Sequence, residues 1–179
     1  NIIAKVLGSR SNSLEPPIAF VAHMDHPGFE VTEDLNGAVV AGALGGVPIA
    51  ALRKNVDAFS FDSNGTRVSC TLEPMTDLGK RSVYVRSKAS LSIGTPIVFD
   101  LPDMIVENDT IKMRALDDLG GCAAILASLE SISADPPESD VYGVFTRAEE
   151  VGLIGARLLS GEKTLPENTF VVSVETSSL

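Results

Sequence analysis

Residues 141–174 read VYGVFTRAEEVGLIGARLLSGEKTLPENTFVVSV. An apolar run, Val141-Tyr-Gly-Val-Phe145, gives way to a segment from Val151 to Leu159 with apolar residues at helical spacing. Pro166 then intervenes before a second apolar run, Thr169-Phe-Val-Val-Ser-Val174. Short unbroken apolar runs suit strands buried on both faces, and strands alternating with helices imply a sheet with helices on its faces. The alternation extends backwards. Gly121-Cys-Ala-Ala-Ile-Leu-Ala-Ser-Leu-Glu-Ser-Ile132 has helical spacing and is stopped by Pro136-Pro137.

Further towards the start, Ile2 to Leu7 and Ile18 to Ala22 read as two more strands, joined by the polar turn Ser9-Arg-Ser-Asn-Ser13 ahead of Pro16-Pro17. Between Gly28 and Asn108 the character is all-β. Runs rich in β-branched residues recur between the turn signals Asn36-Gly37, Gly45-Gly46, Asn64-Gly65 and Gly94. Phe59-Ser-Phe61 and Val68-Ser-Cys-Thr-Leu72 alternate around Asn64-Gly65, a hairpin signal because both residues tolerate positive φ. The expected architecture is an α/β fold with a mixed sheet flanked by helices, formed by residues 1–27 and 109–179. A small β-barrel or sandwich is inserted at 28–108.

Composition narrows the function. Of 179 residues, 44% are hydrophobic and 21% charged, with 14 Lys+Arg against 24 Asp+Glu and a net charge of −10. That excess of acid, with no basic stripe, disfavours phosphate backbones, so no nucleic-acid partner is expected. No apolar run reaches the ~18–20 residues of a membrane helix, and no membrane association is expected. Cys70 and Cys122 lack metal-type spacing and are too few for a disulfide framework, which with no visible secretory signal predicts a reducing, cytoplasmic setting. The chain opens at Asn1 and closes at Ser177-Ser-Leu179 directly after an apolar strand, as a piece of a longer polypeptide would.

Polar residues follow each buried strand. Ile18 to Ala22 leads into His23-Met-Asp25-His26, Val141 to Phe145 into Glu149-Glu150, and Thr169 to Val174 into Glu175. The carboxyl ends of strands form the ligand crevice of open α/β sheets. His23 and Asp25 lie on one side of an extended chain, where the carboxylate can orient a metal-binding imidazole or simply pair with it. Asp117-Asp118 reads either as a helix cap or as a carboxylate bridging two cations, since adjacent acids repel unless something positive neutralises them. Glu149-Glu150 reads as a solvated first turn, or as one metal ligand beside one proton carrier. Glu175, ending a buried run, needs a partner, and a metal ion is one such partner.

Three segments together carry a family resemblance: Ala22-His-Met-Asp-His-Pro-Gly-Phe29; Ala115-Leu-Asp-Asp118 with Gly121-Cys122; and Phe145-Thr-Arg-Ala-Glu-Glu-Val-Gly-Leu-Ile-Gly-Ala156. In order and content the chain resembles the tetrahedral-type di-metal aminopeptidases, the glutamyl and deblocking aminopeptidase family, some members of which are labelled cellulases or endoglucanases. The resemblance implies that His23 and Glu150 are terminal metal ligands, that Asp117 bridges two ions, and that Glu175 fills a slot more often held by Asp. It makes Glu149 the general base and Asp25 the support of His23, with Asp118 following Asp117 through a strained peptide that can be cis. It makes the β-rich insert a subunit-contact domain of large homo-oligomers. His26 stands where the family usually has Glu, and Leu119 where Arg is common. A second His ligand is expected from beyond Glu175, because the only two histidines are His23 and His26.

The implied activity is hydrolysis of N-terminal residues from peptides with two divalent ions, Zn²⁺ by the mixed nitrogen and oxygen donors, or Co²⁺ or Mn²⁺. Two alternatives remain at this point. One is a di-metal dipeptidase or N-acyl-amino-acid hydrolase; the other is a non-catalytic assembly protein that kept the fold.

Overall fold

The computed structural model describes residues 1–10, 15–76 and 81–177, so Ser11–Ser13 of the turn expected after Gly8 lie outside the described residues. The chain divides into two compact units. One comprises Asn1–His26 and Ala115–Leu179, the other Pro27–Arg114.

The first unit is built on strands β1 (Ile2–Val6) and β2 (Ile18–His23) and helix α1 (Leu116–Ser133), followed by its later elements. Those are β11 (Val141–Thr146), α2 (Ile154–Glu162) and β12 (Phe170–Ser173). The sheet order is β1-β11-β2-β12; β1 is antiparallel to β11, and β11 and β12 both run parallel to β2. Every residue of β11 is buried, as a central strand covered on both faces requires. Its alternation divides the unit into two layers. Val141 and Phe145 join Ala22 under Cys122, Ile125 and Leu129 of α1, whereas Tyr142 and Val144 join Ala19 on the opposite face, near Leu159 of α2. Residues 122, 125 and 129 share one helix face, and burial of side chains such as Ile125 and Leu129 contributes roughly 1.5–3 kcal/mol each. Among the described residues no helix is long and apolar enough to cross a membrane.

The second unit is a closed barrel of six strands: β3 (Gly28–Leu35), β4 (Ala38–Leu44), β5 (Val56–Phe61), β6 (Arg67–Pro74), β7 (Ser82–Ser87) and β8 (Pro96–Phe99). They close in the order β3-β4-β7-β6-β5-β8. Phe29, Val31, Leu52, Leu72, Val83 and Ile97 fill its interior. A two-stranded sheet, β9 (Ile105–Glu107) with β10 (Thr110–Lys112), follows. The unit runs to Arg114, past the residue 108 read from the sequence. Arg114 belongs to it physically: its guanidinium pairs with Asp103 at 2.5 Å and lies 4.9 Å from the Phe59 ring centre.

Both expected Asn-Gly turns occur, but they differ. Asn36 (φ 55°) and Gly37 (φ 97°) make a two-residue hairpin turn between β3 and β4, with Asp34 Oδ1 accepting the Gly37 N–H at 2.8 Å. Asn64-Gly65 instead sits in a longer loop. Asp62 Oδ1 accepts the N–H groups of both Asn64 and Thr66 at 2.9 Å, and only Gly65 of the pair has positive φ.

One polar anchor holds the outer end of the first unit. Asp140 accepts the Gly8 N–H at 2.9 Å and pairs with Lys5 Nζ at 2.7 Å. The Gly8 bond first, then Lys5, holds the Asp140 carboxyl below the usual carboxylate range. A pKa depressed by folding stabilises the native state above the unfolded carboxylate value near ~3.9 and loses that effect as pH falls through the folded value. Asp140→Ala in the full-length protein is expected to cost about 1 kcal/mol at pH 7 by removing the acceptor for Gly8. Urea unfolding from pH 7 down to pH 3 is expected to show the gap to wild type closing on acidification; a gap independent of pH refutes the assignment.

Candidate metal centre

The sheet places the site. β2 ends at His23, directly opposite Thr146 of β11. On its other side Ser173 of β12 pairs with Val21, and the Val174 N–H donates to the Val21 carbonyl at 2.8 Å, extending the ladder. Continuing that register brings Glu175 level with His23. Parallel strands in register end together, so the residues beyond them share one rim.

His23 is 4% exposed. Its Nε2 lies 3.1 Å from Asp117 Oδ1, 3.7 Å from Glu175 Oε1 and 3.9 Å from Glu149 Oε2. On the other side of the ring, Nδ1 is 2.9 Å from the main-chain oxygen of Asp25. With the proton on Nδ1 donated to that oxygen, Nε2 presents its lone pair to the carboxylates. Ligand atoms of His23, Asp117 and Glu175 all lie within 4.8 Å of one another.

Charge explains why this group fits a cation. Burial, the largest influence on His23, pushes its pKa down. The hydrogen bond to the Asp25 main chain and the negative fields of Glu175, Glu149 and Asp117 outweigh it and hold the pKa above the ordinary histidine value. Burial, followed by a hydrogen bond between its carboxyl group and that of Asp117, raises Glu175. Two carboxyl groups in contact beside an imidazole must share a proton or a cation, and one nitrogen with several oxygens suits Zn²⁺, Mn²⁺ or Co²⁺.

The backbone around this cluster is held from below. Ala115 sits in the left-handed region at φ 58°, the Asp117–Asp118 peptide is cis, and both aspartates depart from helical geometry at the head of α1. Asp118 is fully buried. One of its carboxylate oxygens accepts the Gly121 N–H at 3.2 Å, capping the regular part of the helix, while the other accepts the His23 N–H at 3.2 Å. Burial raises its pKa, opposed by these bonds. The Cys122 thiol donates to the His23 carbonyl oxygen at 3.3 Å. The main chain of the histidine is thus gripped at both its polar atoms.

Asp25 meets His23 through its main-chain oxygen, while its carboxylate, 3.9 Å from His23 Nδ1, accepts the N–H groups of Glu149 at 3.0 Å and Glu150 at 3.1 Å. The strand ends at His23, so the two-residue periodicity that would have put Asp25 under the ring no longer applies. Glu150, expected as a further ligand, has its N–H bonded to the Asp25 carboxylate, and the donor atoms grouped within 4.8 Å are those of His23, Asp117 and Glu175. His26 also lies outside that group. Asp118 and Cys122 as supports of His23 were not legible in advance, since no spacing signals contacts across 95 and 99 residues.

With this geometry in view, the chain belongs to the M42 glutamyl aminopeptidase family, whose sequence model matches residues 60–178. It is 30% identical over 161 residues to a protein of Acetivibrio thermocellus carrying a provisional aminopeptidase name, covering 78% of this chain and 44% of that protein. Among solved structures, an aminopeptidase of the archaeon Desulfurococcus kamchatkensis shares the fold with a TM-score of 0.78 at 22% identity, over 98% of this chain and 51% of that one. The TET1 peptidase of Pyrococcus horikoshii, which can assemble into a tetrahedron or a large octahedral shell, superposes with a TM-score of 0.73 at 22% identity, over 97% and 55%. The chain spans about half the length of the curated relatives it matches.

A β-carbon on Gly121 would overlap the buried Asp118 carboxylate. Gly121→Ala in the full-length protein is therefore expected to cost about 1–3 kcal/mol of stability and to weaken metal retention through His23. Chemical denaturation and metal analysis of the same preparation check this, and wild-type values for both would show that Asp118 has room to move.

Proposed function

We infer that the chain carries the metal-binding and proton-transferring residues of an aminopeptidase that cleaves the first peptide bond of peptide substrates. The convergence of His23, Asp117 and Glu175 at the carboxyl ends of two parallel strands, with Glu149 3.9 Å from the same imidazole nitrogen, carries this reading. In it, His23, Asp117 and Glu175 would hold divalent cations, and Glu150 would supply a further oxygen. Zn²⁺ is the expected occupant, with Co²⁺ and Mn²⁺ able to substitute. Divalent cations at such a site supply Lewis acidity toward the peptide carbonyl and the attacking water.

The chain's own residues do the rest. Glu149 Oε2 accepts a proton from the attacking water and returns it to the nitrogen of the departing peptide, a role that needs a carboxylate close to the donors but outside their cluster. Asp25 holds Glu149 there by its bonds to the two successive N–H groups. The acidic rim of Asp117, Glu149 and Glu175 attracts a substrate ammonium group, which favours free N-termini over internal bonds. A homo-oligomer is expected, on the example of the Pyrococcus TET1 peptidase, which can assemble into a tetrahedron or a large octahedral shell, and the barrel unit is the proposed subunit contact. Both cysteines are unpaired thiols, which suits a cytoplasmic setting.

Glu149→Gln in the full-length protein, assayed on aminoacyl substrates with added metal, is expected to lower kcat by about 10²–10⁴-fold with metal content unchanged. Activity within about tenfold of wild type removes Glu149 from the base role. Metal analysis of the wild type is expected to find two divalent ions per complete subunit and loss of activity on chelation. None or one ion, with no hydrolysis of aminoacyl substrates even when metal is added, supports the assembly-protein alternative.

A further inference from the structure

The turn that carries Glu149 and Glu150 is fastened on its inner side by Asp25. Its outer side is held by a residue far away in sequence. Strand β1 pairs with β11 antiparallel, Ile2 opposite Phe145, and β11 leaves the sheet at Thr146. The Asn1 side chain meets the turn that follows: its Oδ1 accepts the Arg147 N–H at 3.2 Å and its Nδ2 donates to the Gly155 carbonyl oxygen at 3.0 Å. A side-chain amide carries the same donor and acceptor as a peptide unit, so Asn1 adds a rung that joins both ends of the turn.

The turn is built around that rung. The Gly155 N–H donates to the Arg147 carbonyl at 3.0 Å, and the Ile154 N–H to the Ala148 carbonyl at 2.9 Å, closing the loop at its neck. A β-carbon on Gly155 would collide with Asn1 Oδ1 and with the Arg147 main chain, so the neck accepts the amide only because residue 155 has no side chain. Ala148 and Leu153 lie in the left-handed region at φ 59° and 56°, flanking the two glutamates. Residues held in sparsely populated conformations persist when the surroundings over-determine them, and here the surroundings are Asp25 within and Asn1 without.

We propose that Asn1 is a positioning residue for Glu149, acting through the neck of the 147–155 turn. This rests on the reading of Glu149 as the base. Small displacements of a reacting group cost rate out of proportion to stability, so the effect falls on turnover and spares substrate binding.

The test uses the full-length protein with Asn1→Asp and Asn1→Ala. Asn1→Asp keeps the acceptor for Arg147 but sets a carboxylate oxygen against the Gly155 carbonyl; Asn1→Ala removes both bonds. Both are expected to lower kcat by about fivefold to twentyfold with KM within twofold and metal content unchanged, and to speed amide exchange across 147–155. An unchanged kcat, a KM rise that accounts for the whole loss, or metal loss in step with activity each overturns the proposal. Glu149→Gln is the control. If that variant remains active, the base reading fails, and the pin is then judged on exchange alone: unaltered exchange at 147–155 in both Asn1 variants overturns it.

Discussion

Crowding of negative charge around one buried imidazole is the constraint on which the first unit depends. Asp117, Glu149 and Glu175 all come within 3.9 Å of His23 Nε2. Left to themselves such groups would spread into water, because like charges at these separations repel unless a proton or a cation sits among them. Asp117, Glu149 and Glu175 are each partly exposed, so solvent relieves part of that repulsion, whereas His23 has no such outlet. The sheet and Asp118 fix the main chain of the histidine around which the cluster gathers.

The scaffold is arranged to supply that fixation. In-register parallel pairing ends β2 and β11 at one level and carries Glu175 level with His23, and Asp117 meets the histidine while Asp118 turns inwards. Asp118 serves as helix cap and as acceptor for the His23 N–H, joining the helix head to the strand end through one buried carboxylate. Asp25 plays the matching part for the glutamate turn. His23 and Glu149, the proposed ligand and proton carrier, are therefore positioned through backbone contacts, which are less free to relax than long side chains.

Much of this was legible from the amino-acid pattern, and where legibility ended has a physical reason. The unbroken run Val141–Phe145 announced a strand covered on both faces, and all six residues of β11 are buried. The polar residues after each strand were sound pointers to a shared rim because register fixes where parallel strands stop. Periodicity lost its force past the strand end: Asp25, two residues beyond His23, meets the imidazole through its main-chain oxygen, while its carboxylate holds the N–H groups of Glu149 and Glu150. The same limit applies to Asn64-Gly65, where Asp62 organised a longer loop than the dipeptide suggested. Contacts such as Cys122 to the His23 carbonyl depend on chain folding over 99 residues, and no local pattern encodes them.

In the proposed reading, the contrast between His23 and the glutamates follows from what each must do. A ligand is best held still, and His23 is buried, bonded at Nδ1 and gripped at N–H and C=O. A group that picks up and releases a proton must meet water and substrate, so Glu149 keeps a side chain that is 31% exposed while its backbone is fastened. Fixing the main chain and leaving the carboxylate its rotamer freedom reconciles the two needs. The arrangement places its rigid elements under the donors and its irregular turn, rich in left-handed residues, under the one group whose chemistry requires movement.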